Sequence, residues 1–203
     1  MLVYGGSIGV TMLTYPWKII RTIPKALRLL FFPPLIRPPD ELIEDVIKLH
    51  QTVTTTGVDS VDLKTIEDDF LRSGLRMLLE DLDEASIREE LETELRSTAG
   101  RHHRIIEVFR GMAVAAPIFG LLGTVMGVVE VLKHLSSPEE MGQYMAVAVV
   151  ATFHGILAAN MFYLPTASKL EVHSEAELLD KEIMAAAILG MKRRELPSLL
   201  RRR

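Results

Sequence analysis

Two long apolar stretches dominate the hydrophobic pattern of the chain. The first, residues 111–129, contains no charged side chain, and the second, residues 141–168, contains no Asp, Glu, Lys or Arg. Each is long enough to cross a membrane, because a bilayer core about 30 Å thick requires roughly 20 apolar residues of helix. Only a short connection, with the polar segment 133–140, separates them. The pattern therefore predicts two antiparallel membrane helices, a hairpin with a first and a second arm.

Small side chains recur at steps of three and four residues on both arms. This spacing places them on one face of each helix. Small residues allow two helix backbones to approach closely. The sequence therefore predicts that the arms pack through this face, which leaves open a tightly packed hairpin without a transport role. The predicted packing positions are Gly120, Gly123 and Gly127 on the first arm and Ala148, Gly155 and Ala159 on the second.

Each arm also carries one threonine in its small-residue face and one proline. The threonines are Thr124 and Thr152, and the prolines are Pro117 and Pro165. Proline removes a backbone donor and kinks a helix, and membrane helices tolerate it where neighbours satisfy the freed carbonyl. His154 is a further candidate, because an ionisable residue inside a membrane is often functional. A neutral histidine that hydrogen-bonds a neighbouring helix is the structural alternative.

A third apolar stretch, residues 1–17, opens the chain. It lacks the basic leading region and the small-residue cleavage site of a secretory signal. Tyr15 and Trp17 stand where an interfacial aromatic belt would lie, and Lys18 follows them. We interpret this stretch as a third membrane helix of minimal length.

Cations flank the apolar stretches unequally. Lys and Arg residues follow residue 17, precede residue 111 and follow residue 168, whereas the hairpin turn offers Lys133 and His134 against three glutamates. The positive-inside rule then predicts that residues 18–110 and the C-terminus are cytoplasmic and that the N-terminus lies outside. We expect the complete protein to carry one more apolar helix upstream of Met1.

The chain divides by this pattern into four segments. Residues 1–32 are a membrane helix with its extension, 33–110 a cytoplasmic helical domain, 111–168 the membrane hairpin, and 169–203 a C-terminal helix with a basic tail. The prolines at 33, 34, 38 and 39 end the first segment, and Asp40 is predicted as the N-cap of the next helix. The charged segment 83–104 is predicted to run as one helix into the first arm.

Composition narrows the class of protein. The 203 residues are 48% hydrophobic with a net charge of −4 and a mean hydropathy of +0.22, which fits a mixed membrane and cytoplasmic chain. No strand pattern appears, so the predicted fold is all-α. There is no cysteine, residues 120–127 lack the lysine of a phosphate loop, and His102 and His103 are adjacent and make a poor metal pair. We predict no enzyme, no cofactor, no metal site and no nucleic-acid partner.

The hairpin motifs resemble a known family. Residues 116–127 (APIFGLLGTVMG) and 146–170 (AVAVVATFHGILAANMFYLPTASKL) are similar to the third and fourth membrane helices of the MotA/TolQ/ExbB ion-channel family. Residues 5–11 and 15–18 resemble its second helix, and the first of its four helices has no counterpart. The number of helices favours the TolQ/ExbB branch. The glycine-rich first stretch and Leu164-Pro165 favour the MotA branch, which we prefer.

The resemblance implies a flagellar stator subunit of the bacterial inner membrane. In that branch five such subunits surround two MotB-like single-span partners, which supply the ion-binding carboxylate. Ion flow turns the ring, which exerts torque on a FliG-like rotor protein. The alternatives are an ExbB/TolQ-like energiser of outer-membrane transport or envelope maintenance, and a structural membrane scaffold without ion flux.

The resemblance also implies roles for single residues. Thr124 and Thr152 match pore-lining positions, where hard threonine oxygens favour Na⁺ over H⁺ as the transported ion, although helix-packing threonines would show the same pattern. Pro117 and Pro165 match the positions of a coupling hinge. For the rotor contact, Asp62 stands at an acidic position of the family. Thr54 replaces its arginine, and the candidates to substitute for it are Lys48, Lys64, Arg72 and Arg76, of which we single out Lys64 and Arg72. Solvated surface charge is the alternative interpretation.

Overall fold

The computed structural model describes residues 2–31 and 39–195, and within these ranges the chain is helical without any strand, as predicted. Two short 3₁₀ turns, Val58–Ser60 and Leu63–Thr65, and a π-helical segment, Ala158–Tyr163, accompany the α-helices. The helices are α1 Leu2–Thr14, α2 Trp17–Ile20, α3 Ile23–Phe31, α4 Pro39–Thr56, α5 Asp69–Leu79, α6 Glu84–Lys133, α7 Pro138–Leu157 and α8 Leu164–Arg193. The prolines at 33, 34 and 38, the side chain of Asp40 and the tail 196–203 lie outside what is described.

The described residues form two compact units. The first, the hairpin unit, consists of residues 2–31 and 102–172, and the second, the core unit, of residues 39–101 and 173–195. Both α6 and α8 contribute to each unit. Residues 173–195 thus share a unit with residues 39–101.

In the hairpin unit, α6 and the continuous helical run Pro138–Arg193 are long and apolar enough to cross a membrane. Residues 134–137 turn the chain between them, and Pro138 occupies a first-turn position, where its missing N–H costs nothing. The predicted hairpin is therefore present. The predicted third span is a shorter apolar helix of 13 residues, α1, so two helices rather than three meet the length required.

The outer face of the hairpin is apolar and exposed. Val114, Leu121, Val147 and Phe153 are each at least 60% exposed. Such a surface is stable only when lipid or other protein covers it.

The core unit packs large side chains around α5. Phe70 and Leu75 of α5, Ile87 and Leu91 of α6 and Ile188 of α8 are almost fully buried. Asp68 starts α5 as an N-cap, since its carboxylate accepts a hydrogen bond of 2.9 Å from the Leu71 N–H. The burial of Ile188 explains why the end of α8 belongs with α4, α5 and the start of α6.

The two arms are not equally regular. The first arm continues α6, which begins at Glu84 and contains Pro117 without interruption, so the charged segment and this arm form one helix as predicted. The second arm changes at Ala158 from an α-helix to a π-helix and returns to an α-helix at Leu164. The sequence pattern did not predict this change.

Candidate functional site: the seam between the two membrane arms

The arms meet backbone to backbone at two glycines. A Cβ on Gly155 would lie 2.8 Å from the Ala116 carbonyl oxygen and 3.1 Å from the Cα atoms of Gly120 and Pro117. A Cβ on Gly120 would lie 3.1 Å from the Ala151 carbonyl oxygen. Gly155 thus has no room for a side chain, and at Gly120 a side chain would fit only if the facing helix shifted, because the atoms in the way are main-chain atoms that no side-chain rotation can move.

The close approach continues toward the turn of the hairpin. A Cβ on Gly127 would lie 2.6 Å from the Cβ of Ala148, and a Cβ on Gly123 would lie 2.6 Å from that of Ala151. In the other direction Ala159 is buried in a small cluster with Ala113 and Ala116. We call this contact the seam; it is formed by Gly120, Gly123, Thr124, Gly127, Ala148, Thr152, Gly155 and Ala159.

Two threonine hydroxyls meet in the middle of the seam. Thr124 Oγ1 and Thr152 Oγ1 are in direct hydrogen-bond contact. Thr124 Oγ1 also lies 3.1 Å from the Ala148 carbonyl oxygen and 3.2 Å from that of Gly120. Thr152 Oγ1 lies 3.4 Å from the same Gly120 oxygen. Four oxygen atoms from two helices therefore converge at one level of the hairpin.

This oxygen cluster has a definite chemical character. Hydroxyl and carbonyl oxygens are hard, uncharged ligands that suit Na⁺ or a hydrogen-bonded relay. Among the described residues there is no group of three or more His, Cys, Asp or Glu side chains able to hold a metal ion. The arms between 111 and 129 and between 141 and 168 also carry no carboxylate. The seam thus offers oxygen ligands but no negative charge.

The two prolines occupy different surroundings. Pro117 lies at the seam, where its Cα faces Gly155, and it is partly buried. Pro165 is exposed, in the first turn of α8 directly after the π segment. A proline supplies no N–H to the turn before it, so each removes one helical hydrogen bond.

An ion pair ties the arms together at the open end of the hairpin. Arg110 of α6 donates two hydrogen bonds from one nitrogen to the Glu171 carboxylate of α8, at 2.7 and 2.9 Å. Arg110 also donates a hydrogen bond to Glu107 at 3.1 Å. The two carboxylates raise the pKa of Arg110, and the hydrogen bond to Glu107 has the larger effect. The Tyr15 hydroxyl donates to the Glu107 carbonyl oxygen at 2.9 Å. Three parts of the chain meet here.

His154 lies beside the seam and does not take part in it. Its Nδ1 lies 2.8 Å from the Val150 carbonyl oxygen of its own helix, and its ring makes edge contacts with Tyr4 and Phe153. The Nδ1–H is then the donor, because a carbonyl oxygen only accepts. The hydrogen bond thus stays within α7, whereas the predicted alternative was a bond to a neighbouring helix, and the contact with Tyr4 of α1 is one between rings.

The residues considered for the rotor contact lie in and after the loop between α4 and α5. Asp62 caps the turn Leu63–Thr65 by accepting a hydrogen bond of 3.0 Å from the Lys64 N–H, and the Lys64 side chain is exposed. Arg72 instead holds the loop: its Nε donates to the Ile66 carbonyl oxygen at 3.0 Å and its Nη1 to Asp69 at 2.7 Å. Asp62 and Lys64 are exposed on the surface, whereas the guanidinium of Arg72 is bound to Ile66 and Asp69.

Ion pairs fasten the end of α8 within the core unit. Arg193 bonds Glu84, and Lys192 bonds Asp81 at 2.6 Å. The hydrogen bonds from Arg193 and Arg88 lower the pKa of Glu84 to about 2. His50 of α4 is fully buried, and its Nε2 lies 3.0 Å from the Glu195 carbonyl oxygen. Burial lowers the pKa of His50, so it is neutral at physiological pH.

Several of these contacts had no counterpart in the sequence analysis. The Arg110–Glu171 pair joins residues that are 61 positions apart, and the contact between Ser7 and Tyr163 joins residues that are 156 apart. No local spacing identifies such pairs. A weaker signal did exist, since Ser7 and Thr11 are polar residues at a step of four in an apolar helix.

Comparison with known proteins shows which family this chain resembles. Residues 62–183 match the family described as the MotA/TolQ/ExbB proton channel family. The chain is 33% identical to motility protein A of Treponema phagedenis, over 98% of this chain and 77% of the relative. It is 32% identical to the uncharacterized protein YtxD of Bacillus subtilis strain 168, over 94% of this chain and 71% of the relative.

Solved structures agree. The flagellar MotAB stator complex from Bacillus subtilis superposes with a TM-score of 0.89 at 26% identity, over 99% of this chain and 80% of that chain. The MotAB structure from C. jejuni gives the same TM-score at 23% identity, over 96% and 76%, and so supports the fold. With 122 residues from 62 to 183 matched, this chain belongs to the MotA/TolQ/ExbB proton channel family.

Proposed function

We propose that this chain is the MotA-like subunit of a flagellar stator. With a MotB-like single-span partner it conducts ions across the bacterial inner membrane and converts their flow into torque on the rotor. The observation that carries the proposal is the seam, with its paired threonines, in a chain that is similar over nearly its whole length to motility proteins A. The similarity to a flagellar stator complex points the same way.

The seam supports an ion path that two chains complete. Thr124, Thr152 and the carbonyl oxygens of Gly120 and Ala148 offer neutral oxygens at one level. A cation inside a membrane requires a compensating negative charge, and the arms carry none. The carboxylate is therefore assigned to the MotB-like partner. This cluster of hard oxygens favours Na⁺ as the transported ion, with H⁺ as the alternative.

The exposed apolar face of the hairpin supports assembly into a ring. Side chains such as Leu121 and Val147 are about 60% exposed in the single chain, and lipid and neighbouring copies are the partners that would cover them. The proposed complex has five copies around two partner helices. The cations at 18–28 and 101–110 support a multi-pass topology in which residues 18–110 and the C-terminus are cytoplasmic.

Pro117 and Pro165 are the proposed coupling hinge. Each deprives its helix of one hydrogen bond, and each stands beside a distinctive packing feature: the Gly155 contact for Pro117 and the π segment for Pro165. Coupling requires an element with two arrangements. Replacing either proline with alanine is expected to leave an assembled complex that no longer produces torque.

Asp62 and Lys64 are the proposed contact with a FliG-like rotor protein. Both are exposed, and the cap that Asp62 forms on the Leu63–Thr65 turn fixes their spacing. Arg72, the third candidate, is proposed to support the loop from within through Ile66 and Asp69.

The test is complementation in a motile bacterium that lacks its own stator. We expect co-expression of this chain with its MotB-like partner to restore flagellar rotation, and the chain alone to restore none. If the pair instead energises TonB- or Tol-type envelope transport and leaves the motor at rest, the ExbB/TolQ-like function is correct. Membrane assembly with neither rotation nor ion flux would identify a structural scaffold.

A further inference from the structure

The π segment is a local departure from the α-helix in the second arm. Across Ala158–Tyr163 the helix widens, and the Leu164 N–H bonds the Ala159 carbonyl oxygen five residues back. Pro165 follows at once and supplies no N–H to this turn. π segments are rare and frequently occur at functional sites.

A buried hydroxyl of α1 contacts this segment. Ser7 is fully buried, and its Oγ lies 3.2 Å from the hydroxyl of Tyr163, the last residue of the π segment. Ser7 Oγ also donates to the Tyr4 carbonyl oxygen at 3.1 Å. A serine hydroxyl carries a single hydrogen, so Tyr163 is the donor to Ser7. The two helices are thus joined by a directed chain from Tyr163 through Ser7 to the backbone of α1.

The contact between Ser7 and Tyr163 lies where a small shift of the helix would change the course of the second arm. A π turn holds one residue more than an α turn, so shifting it along the chain exchanges i to i−5 bonds for i to i−4 bonds at nearly constant number. Because Pro165 has no backbone N–H, a shift of the π turn toward it breaks one hydrogen bond fewer. Tyr163 is the last residue of the π segment and stands two residues before Pro165. A contact that holds Tyr163 in place therefore acts on the end of the π turn and on the start of the helix that contains Pro165.

We propose that Ser7 and Tyr163 form a latch that holds residues 158–163 as a π-helix and so sets the orientation of the second arm at Pro165. Ser7 and Tyr163 are then positioning residues for the movement that ion flow drives, and α1 is part of the moving machinery. The role of the latch in movement rests on the proposed stator function, whereas the contact between Ser7 and Tyr163 does not depend on that function. Release of the latch lets the π turn migrate, which rotates the helix beyond it.

The test uses the complex of this chain with its MotB-like partner and three substitutions. Ser7→Ala and Tyr163→Phe each remove one hydroxyl of the latch. Thr14→Ala is the matched control, because Thr14 is an exposed hydroxyl of α1 that donates to the Val10 carbonyl oxygen of its own helix at 2.8 Å. All three variants keep the backbone and the apolar packing.

The first measurement is amide hydrogen exchange of residues 158–164 in the purified complex. We expect Ser7→Ala and Tyr163→Phe each to accelerate it by about two- to tenfold, the range that corresponds to the loss of one hydrogen bond. The double variant should match the single ones, and Thr14→Ala should match the parent. Exchange unchanged by either latch substitution, or effects that multiply in the double variant, would overturn the latch.

The second measurement is motor torque under high load at a fixed ion gradient. We expect both latch variants to assemble at parental levels and to lose torque, with no further loss in the double variant. Parental torque in both would overturn the positioning role. If the parent itself turns no motor, the proposed function fails, and exchange alone then decides whether the latch exists.

Discussion

The seam between the two arms and the packing of the core unit are built by different means. In the hairpin unit the arms meet through glycine and alanine, with main-chain atoms in contact and two hydroxyls between them. In the core unit large side chains such as Phe70, Leu75 and Ile188 interlock, and ion pairs fasten the end of α8. The seam has few side chains that resist sliding of one arm along the other, whereas the core unit has many.

The difference follows from the surroundings of each unit. Lipid tails are as apolar as leucine, so membrane helices gain little from burying large side chains and associate through close contact and hydrogen bonds. In water, burial of large side chains is the main source of stability. A seam of small residues permits small relative movements of two helices, and an interlocked core resists them. We therefore expect motion of the two arms along the seam and rigidity within the core unit.

The largest expected effect is in the core unit. Leu75→Ala removes a fully buried side chain, and we expect it to lower the free energy of unfolding of this unit by about 2–5 kcal/mol. Leu82→Ala, at a position 36% exposed, is the control and should cost less than 1 kcal/mol by the same principle. Denaturant unfolding followed by circular dichroism measures both. Equal costs would mean that α5 is not the centre of this core.

The next effect tests the seam. Gly155→Ala places a methyl group 2.8 Å from the Ala116 carbonyl oxygen, so the arms must separate, at an expected cost of about 1–3 kcal/mol. Gly142→Ala on the same helix meets nothing within 4 Å and serves as the control. We expect the first to reduce assembly and ion flux strongly and the second to leave both unchanged. Normal flux in Gly155→Ala would show that the arms do not need this contact.

These two regions also differ in how far the sequence predicted them. The hairpin and its small-residue faces follow from local spacing, because steps of three and four fix a helix face. The π segment cannot be predicted from local spacing, since residues 158–163 would also fit an α-helix. The burial of Ile188 against α5 joins positions more than a hundred residues apart, and no local spacing in the sequence identifies such a contact. Of the site, Thr124, Thr152 and the glycines were identified, while Ser7, Tyr163 and the Arg110–Glu171 pair were not.

A smaller effect is expected from the ion pair at the open end of the hairpin. Both side chains are about 41% exposed, and solvent screening makes an exposed ion pair a weak contribution to stability. We expect Glu171→Arg to reduce torque modestly and the exchanged pair, Arg110→Glu with Glu171→Arg, to recover part of it. Motor speed at constant stator number measures this. Additive losses in the exchanged pair would show that the two residues act separately.

The smallest effect is a pH dependence of the core unit. Burial lowers the pKa of His50 below the 6.5 of an unfolded chain, so the unfolded state binds the proton more readily. The contribution of neutral His50 to the stability of the core unit is complete above pH 6.5 and is lost as the pH falls below this value. His50→Gln, which keeps a donor for the Glu195 carbonyl oxygen, should flatten this dependence. If the free energy of unfolding of His50→Gln changed between pH 7 and pH 5 as much as that of the parent, the pH dependence would belong to another group.

The central claim is that the paired threonines of the seam belong to the ion path of a stator. The most direct measurement is motor speed against external Na⁺ at fixed pH, in the parent, in Thr124→Ala and in the control Thr14→Ala. We predict that speed rises with Na⁺ in the parent and the control, and that Thr124→Ala needs more Na⁺ or loses the response. Speed that is independent of Na⁺ in all three would contradict the sodium path, and an unchanged Na⁺ response in Thr124→Ala would remove Thr124 from the ion path.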